Sequence, residues 1–441
     1  MRKTKNRGSA ALYLLVNSLS WFTLTLVIIG NLLEHSSLSK ILLVAGPYFL
    51  GLIASAIIGG TLLYRKLRRR AVLLSWVLAG VATCLLYAFA STSSLPSLII
   101  ASSMLLGASI GVGIPTCFFF FATQTKTESR GRIGAVVFFV IQLLSALILF
   151  LIDQMGTESV FLILAVWRLL GIAGVLFYEQ PLQTAPKEGI TSSLSILKER
   201  TFILYFLAWL LFTLVNFIEE PVLESFFGAI QFSNYVLATA LISSFSAFIG
   251  GVLCDLKGRK ITGILGFAIL GIGYAFLSFL SGGVTKGIGQ ILYTACDGTA
   301  WGILYVTFVF VVWGDQSEGK IREKYYLWGS MPFLISGFIE MLIRPSAGSI
   351  PIGTSFPLAS FFLFIAVLPL IYAPETLPEK AMKDRDLKSY AEKALEQAAK
   401  QEEKKRGKNA DDAEVESRKS EGEAEEPSEY EEARKLAEKY Y

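Results

Sequence analysis

The sequence holds little of the chemistry that soluble catalysis uses. Of 441 residues one is histidine, His35, and it lies at the end of an apolar segment rather than inside one. The four cysteines, Cys84, Cys117, Cys254 and Cys296, are scattered singly, at spacings that suit neither a metal site nor a disulfide framework. No His, Cys and Ser constellation falls within any apolar segment, so neither an enzyme nor a bound metal or cofactor is expected, and nothing points to nucleic acid. Charge is scarce as well. Charged residues make up 17% of the chain and hydrophobic ones 53%, too apolar a balance for a soluble protein of this length. The net charge of +4 hides an uneven distribution, because from Glu379 to Tyr441 acidic residues outnumber basic ones 19 to 15.

What is abundant is uninterrupted apolar sequence. A helix needs roughly 20 apolar residues to cross a bilayer. Such runs fall at about 10–33, 41–63, 71–91, 96–121, 133–152, 159–178, 201–225, 234–254, 261–281, 287–313, 325–344 and 354–373. That predicts an all-α membrane protein of twelve transmembrane helices. The expected division is a first six-helix bundle over 1–178, a cytoplasmic loop at 179–200, a second six-helix bundle over 201–378 and a charged, partly helical tail over 379–441. The first span follows Arg2, Lys3, Lys5 and Arg7, yet its apolar run is too long for a secretory leader and no cleavage site ends it, so it is expected to be retained. Basic residues set the orientation. With the N-terminus inside, inner segments hold 21 Lys and Arg, and outer ends hold three, Lys40, Lys286 and Arg344. Both termini are therefore expected on the cytoplasmic side of the plasma membrane.

The segment Gly250-Gly251-Val252-Leu253-Cys254-Asp255-Leu256-Lys257-Gly258-Arg259-Lys260 ends one apolar run and opens the next. A turn that short must be tight, and Gly258 supplies the backbone freedom. An offset of 191 residues aligns Gly251 with Gly60, in Gly59-Gly60-Thr61-Leu62-Leu63-Tyr64-Arg65-Lys66-Leu67-Arg68-Arg69-Arg70, without a gap. Tyr64 then stands where Asp255 stands, and Leu67 where Gly258 stands. The chain reads as two copies of one unit, a common plan among carriers. The spacing G-x-x-x-D-x-x-G-R-K resembles the cytoplasmic signature that major facilitator superfamily transporters carry between helices 8 and 9. Pro374-Glu375-Thr376 and Glu128-Ser129-Arg130-Gly131-Arg132 resemble pieces of the sugar porters. Leu377-Pro378 departs from that ending, span 7 has no glutamine pair, and span 5 lacks the proline of proton-linked drug exporters, so no subfamily is assigned.

The resemblance implies that spans 1, 4, 7 and 10 line a central cavity, that 2, 5, 8 and 11 flank it, and that 3, 6, 9 and 12 support it from outside. Ionisable groups inside a membrane are costly enough to mark function. Asp297 lies in span 10, and Glu219 and Glu220 lie in span 7 beside Pro221, which interrupts helical hydrogen bonding. These two glutamates point about 100° apart on a helix, so Glu220, which shares a face with Asn216 and Glu224, is the expected cavity member. The first half offers Asn17, Trp21 and Thr25 on one face of span 1, and Gly107, Gly111 and Gly113 in span 4. Arg168, at the centre of span 6, is expected to pair inside the first bundle, and Glu340 with Arg344 as an i,i+4 ion pair. Spans 1, 4, 7 and 10 contain no Lys or Arg, which suits a neutral or cationic organic solute. With no histidine inside the membrane, only carboxylates could exchange protons there, and burial disfavours the charged form of such groups.

With the resemblance, these features predict a secondary active carrier working by alternating access, as a proton-coupled symporter or antiporter, with uniport or coupling to Na⁺ through the same carboxylates left open. Asp297, Glu220, Glu219, Asn216, Asn17 and Trp21 are its candidate substrate or coupling-ion residues, and its partners are a small solute, protons and the lipid bilayer around a monomer. A multidrug or hydrophobic-metabolite exporter of the same fold is one alternative. A non-transporting receptor or scaffold is another, and the membrane carboxylates argue against it. The resemblance further implies a conformational latch made by Gly251, Asp255, Gly258, Arg259 and Lys260 against Arg130 and Arg132 at the start of span 5. Asp255 is expected to meet the positive end of that helix, and Arg259 to pair with Glu128 or Glu318. The first half, with Tyr64 in place of the acid, is expected to form no counterpart. In the tail, capping boxes at Thr376–Glu379 and Ser428–Glu431 predict short helices around a disordered 406–427, a segment available to a cytoplasmic partner.

Overall fold

The computed structural model describes residues 2–33, 36–93, 95–152, 155–177, 193–317 and 321–378, with scattered positions between 387 and 400. His35, Glu318, most of the loop 179–200 and the tail beyond 400, including its Ser428–Glu431 box, lie outside the described residues. Contacts divide the chain into two compact units, Met1–Thr376 and Leu377–Tyr441. The first carries every membrane span.

In hydrocarbon a backbone must satisfy its own hydrogen bonds, and a helix does so within one segment. Among the described residues, twelve helices are long and apolar enough to cross a bilayer. They are α1 (Ala10–Leu33), α2 (Leu38–Leu67), α3 (Arg70–Thr92), α4 (Pro96–Gln124), α5 (Thr127–Ile152), α6 (Thr157–Leu176), α7 (Arg200–Phe227), α8 (Ile230–Lys257), α9 (Arg259–Phe279), α10 (Gly283–Gln316), α11 (Arg322–Ser349) and α12 (Ile352–Tyr372). They form two six-helix bundles, α1–α6 and α7–α12. The repeat seen in the sequence reappears in the packing: α2 lies on α4 as α8 lies on α10, and α3 on α6 as α9 on α12. The halves meet along α5 with α8 and α2 with α11.

Three spans are locally irregular. α4 is interrupted at Val112–Gly113, just before Pro115. α2 widens to a π-helical turn at Gly59–Leu63, and α10 does so at Tyr305–Val312. Such wide turns leave backbone groups less tightly paired and recur at functional sites. The turn between α8 and α9 is one residue long. Gly258 there has φ +101°, a conformation that side chains disfavour, and an added Cβ would collide with the Glu375 carboxylate.

Candidate functional site

A cavity of about 240 Å³ lies between the two bundles. From the first half, α1 supplies Phe22, Thr23, Leu26 and Val27, and α5 supplies Phe138, Ile141 and Gln142. From the second half come Asn216, Glu220 and Leu223 of α7, Tyr235 and Thr239 of α8, Asp297, Trp301 and Tyr305 of α10, and Phe333 of α11. Among the described residues no Lys or Arg lines it. A smaller cavity of about 40 Å³ is nearer the helix ends that hold Asp255, bounded by Gly111, Pro115 and Phe118 of α4, Trp209, Trp313 and Tyr326. Phe22, Tyr305 and Phe333 border both spaces. The Phe333 ring contacts Phe22 and Tyr305 at centroid distances of 6.5 and 6.4 Å, so these rings divide the path. The flanking helices α5 and α8, rather than α4, wall the larger cavity, because Gly107 and Gly111 of α4 are pressed against the backbone of α2.

The sequence candidates separate. Asp297 is fully buried at the cavity wall. Its Oδ2 accepts a hydrogen bond from the Tyr235 hydroxyl at 2.8 Å, while Oδ1 has no partner among the described residues. Glu220 and Asn216 line the same cavity. Glu219 turns away, accepting a hydrogen bond from Ser355 on α12. At the end of α11, Arg344 bonds both Glu340, at 2.6 Å, and Glu224.

Asn17 and Trp21 do not reach the cavity. Both are buried inside the first bundle around Arg168. Arg168 Nη1 donates to Asn17 Oδ1 and Ser18 Oγ, each at 2.9 Å. Its guanidinium lies 4.7 Å from the Trp21 ring centroid and 4.2 Å from that of Trp76. Neutral acceptors and two aromatic faces thus take the place of an acidic partner. The expectation for Asn17 and Trp21 went astray because spacing marks a common face without telling which neighbour that face meets.

At the end of the helices near Gly258, Asp255 is fully buried and binds the start of α5. It accepts from the backbone N–H of Gly131 at 2.9 Å, from that of Arg132 at 3.0 Å, and from Arg132 Nε at 3.1 Å. Gly131 and Gly251 make this approach possible, since a Cβ on either would collide with the other's carbonyl. Arg259 pairs with Asp315, Nε to Oδ2 at 2.7 Å, and donates to the Thr127 carbonyl. Glu128 is not that partner, and Glu318 lies outside the described residues. Asp315 also binds Arg130, so one carboxylate serves two guanidiniums from different halves. Lys260 departs from the expected latch: its Nζ bonds the Ile371 carbonyl of α12, within its own half. Glu375, from the segment that resembles the sugar-porter ending, caps α9 by accepting from the N–H groups of Arg259 and Lys260 at 2.8 and 3.1 Å.

The first half does form a counterpart, against expectation. Arg68 donates to both oxygens of Glu323 at the start of α11, Nε at 2.7 Å and Nη2 at 2.9 Å, and lies over the Phe119 ring. Neither residue was singled out in the sequence. The signal existed, because the offset of 191 residues that pairs Gly60 with Gly251 also pairs Arg68 with Arg259 and Arg132 with Glu323. Asp315 offered less, being one acid at the end of an apolar run.

Solved structures share this architecture at low sequence identity. The Escherichia coli fucose:proton symporter FucP matches with a TM-score of 0.63 and 14% identity, over 85% of this chain and 99% of its own. The proton:xylose symporter XylE bound to 6-bromo-6-deoxy-D-glucose matches with a TM-score of 0.62 and 13% identity, over 85% and 96%. The human organic anion transporter MFSD10 (TETRAN) matches with 0.60 and 14%, over 83% and 99%. No curated protein matches in sequence. The sequence profile of the Major Facilitator Superfamily matches residues 8–339. With that match across most of the chain and the twelve-helix, two-bundle architecture, the chain belongs to the major facilitator superfamily.

Proposed function

We propose that this secondary transporter moves a small neutral or cationic organic solute by alternating access, coupled to protons, across the plasma membrane with both termini cytoplasmic. The observation that carries the reading is the cavity between the halves, walled by Asp297 and Glu220 and, among the described residues, by no cation. Solute and proton would compete for, or share, these two carboxylates. Two of the similar structures are proton symporters of sugars, which supports protons as the coupling ion. Members of the superfamily are transporters rather than enzymes.

Uptake into proteoliposomes, for a panel of sugars, amino acids, amines and organic acids with and without a pH gradient, tests this. Accumulation that follows the gradient is the expected result; no movement of any solute would overturn the reading. Within it, Glu220→Gln should reduce apparent solute affinity more than Glu219→Gln, since Glu219 faces α12. The reverse order would remove Glu220 from the site.

A further inference from the structure

The walls of the larger cavity narrow the class of solute, an inference that rests on the carrier reading above. Asp297 Oδ1 and Asn216 Oδ1 belong to buried side chains that line the cavity, and neither oxygen has a hydrogen-bond partner among the described residues. Both are acceptors. A buried acceptor left without a donor is unfavourable, so a solute that donates hydrogen bonds is favoured there. Glu220 adds a second carboxylate to the same wall, and among the described residues no guanidinium or ammonium lines it. That balance opposes an anion. It leaves a cation as the group that satisfies charge and hydrogen bonding together.

The rest of the lining is aromatic. Tyr235, Trp301, Tyr305, Phe22, Phe138 and Phe333 surround the acidic wall, and ring faces attract cations while stacking on flat apolar groups. At about 240 Å³ the space lies below the ~300–1,000 Å³ usual for drug-sized ligands. We infer that the solute is a small protonated amine bearing an aromatic or compact apolar group, its N–H donors on Asp297 and Asn216 and its body among the rings.

Three probes of similar shape separate the elements of this claim: 2-phenylethylamine, its N,N,N-trimethyl analogue, and 2-phenylethanol. Binding to the purified full chain is measured by titration calorimetry, so the comparison does not depend on a variant folding. 2-Phenylethylamine should bind at least tenfold tighter than either analogue, and Asp297→Asn should erase that preference. Equal binding of the trimethyl analogue would overturn the requirement for N–H donors, and equal binding of the alcohol would overturn the requirement for charge. If no amine binds while a neutral sugar such as D-xylose accumulates in proteoliposomes, the amine inference fails and the carrier reading stands. If no solute of the panel is transported, both fail.

Discussion

The two halves close the same end of the molecule with ion pairs of opposite polarity. In the second half the acid is on the span that ends, Asp255 of α8, and it faces Arg132 at the start of α5. In the first half the cation follows the span that ends, Arg68 beyond α2, and the acid, Glu323, opens α11. Both arrangements put a carboxylate near a helix N-terminus, where the exposed N–H groups and the helix dipole favour negative charge. Asp255 does so from across the interface, and Glu323 from within its own helix. Repetition has therefore kept the place of the inter-bundle contact without its polarity. The second latch carries an extra element, because Asp315 binds Arg259 and Arg130 at once and the residue at the equivalent offset in the first half is Gln124. Closure of this end thus rests on two unequal latches.

The largest expected effect comes from removing that extra element. Asp315→Asn leaves two buried guanidiniums without their shared acid, and breaking a buried ion pair typically destabilises by about 3–5 kcal/mol. Thermal unfolding of the purified protein should show a clear loss of stability, larger than for any other single change at this end. An unchanged transition would mean that the two arginines find other acceptors and that the latches are closer to equal than the geometry indicates.

Asp255→Asn comes next. It weakens hydrogen bonds made to a charged acceptor, at about 1.5–3 kcal/mol, enough to shift a balanced conformational equilibrium tenfold or more. A cysteine at Ser330, which lines the smaller cavity behind the latch, reports opening in a background without other cysteines. Its labelling rate should rise in Asp255→Asn, and transport should slow with solute preference unchanged. Labelling equal to the parent would sink the second latch.

Arg68→Ala should open the same end less, by about 1–2 kcal/mol, because the Arg68 side chain is 18% exposed and water partly replaces it. The comparison of polarities sharpens here. Arg68→Glu and Glu323→Arg should each raise labelling at the Ser330 cysteine, and the two combined should restore it. A double variant as open as the singles would show that Arg68 acts through the Phe119 ring rather than through Glu323. The smallest change is Arg65→Ala, since Arg65 touches only Tyr64, and labelling should stay at the parent level.

Much of the fold and less of the site can be read along the chain. All twelve spans follow from apolar runs, and the Glu340–Arg344 pair follows from helical spacing. Glu220 and Glu219 part as the 100° rotation between consecutive residues requires. Placement was misread wherever a face could meet either the cavity or its own bundle. Asn17 and Trp21 share a helical face, and that face meets Arg168 of α6. Tyr235, which holds Asp297, comes from 62 residues away on another helix, with no local signal to announce it.

By itself the sequence determined what depends on neighbours in the chain: which segments enter the membrane, where Gly258 turns the backbone, and that one unit occurs twice. Hydropathy and helical period act over a few residues, so a linear reading captures them. Only the tertiary structure decided which charges meet across the halves, why Arg130 and Arg259 share Asp315, and that Arg68 answers Glu323. Those pairings join residues 56 to 255 positions apart. Their partners are chosen by how the bundles dock in a medium where a buried charge must find compensation.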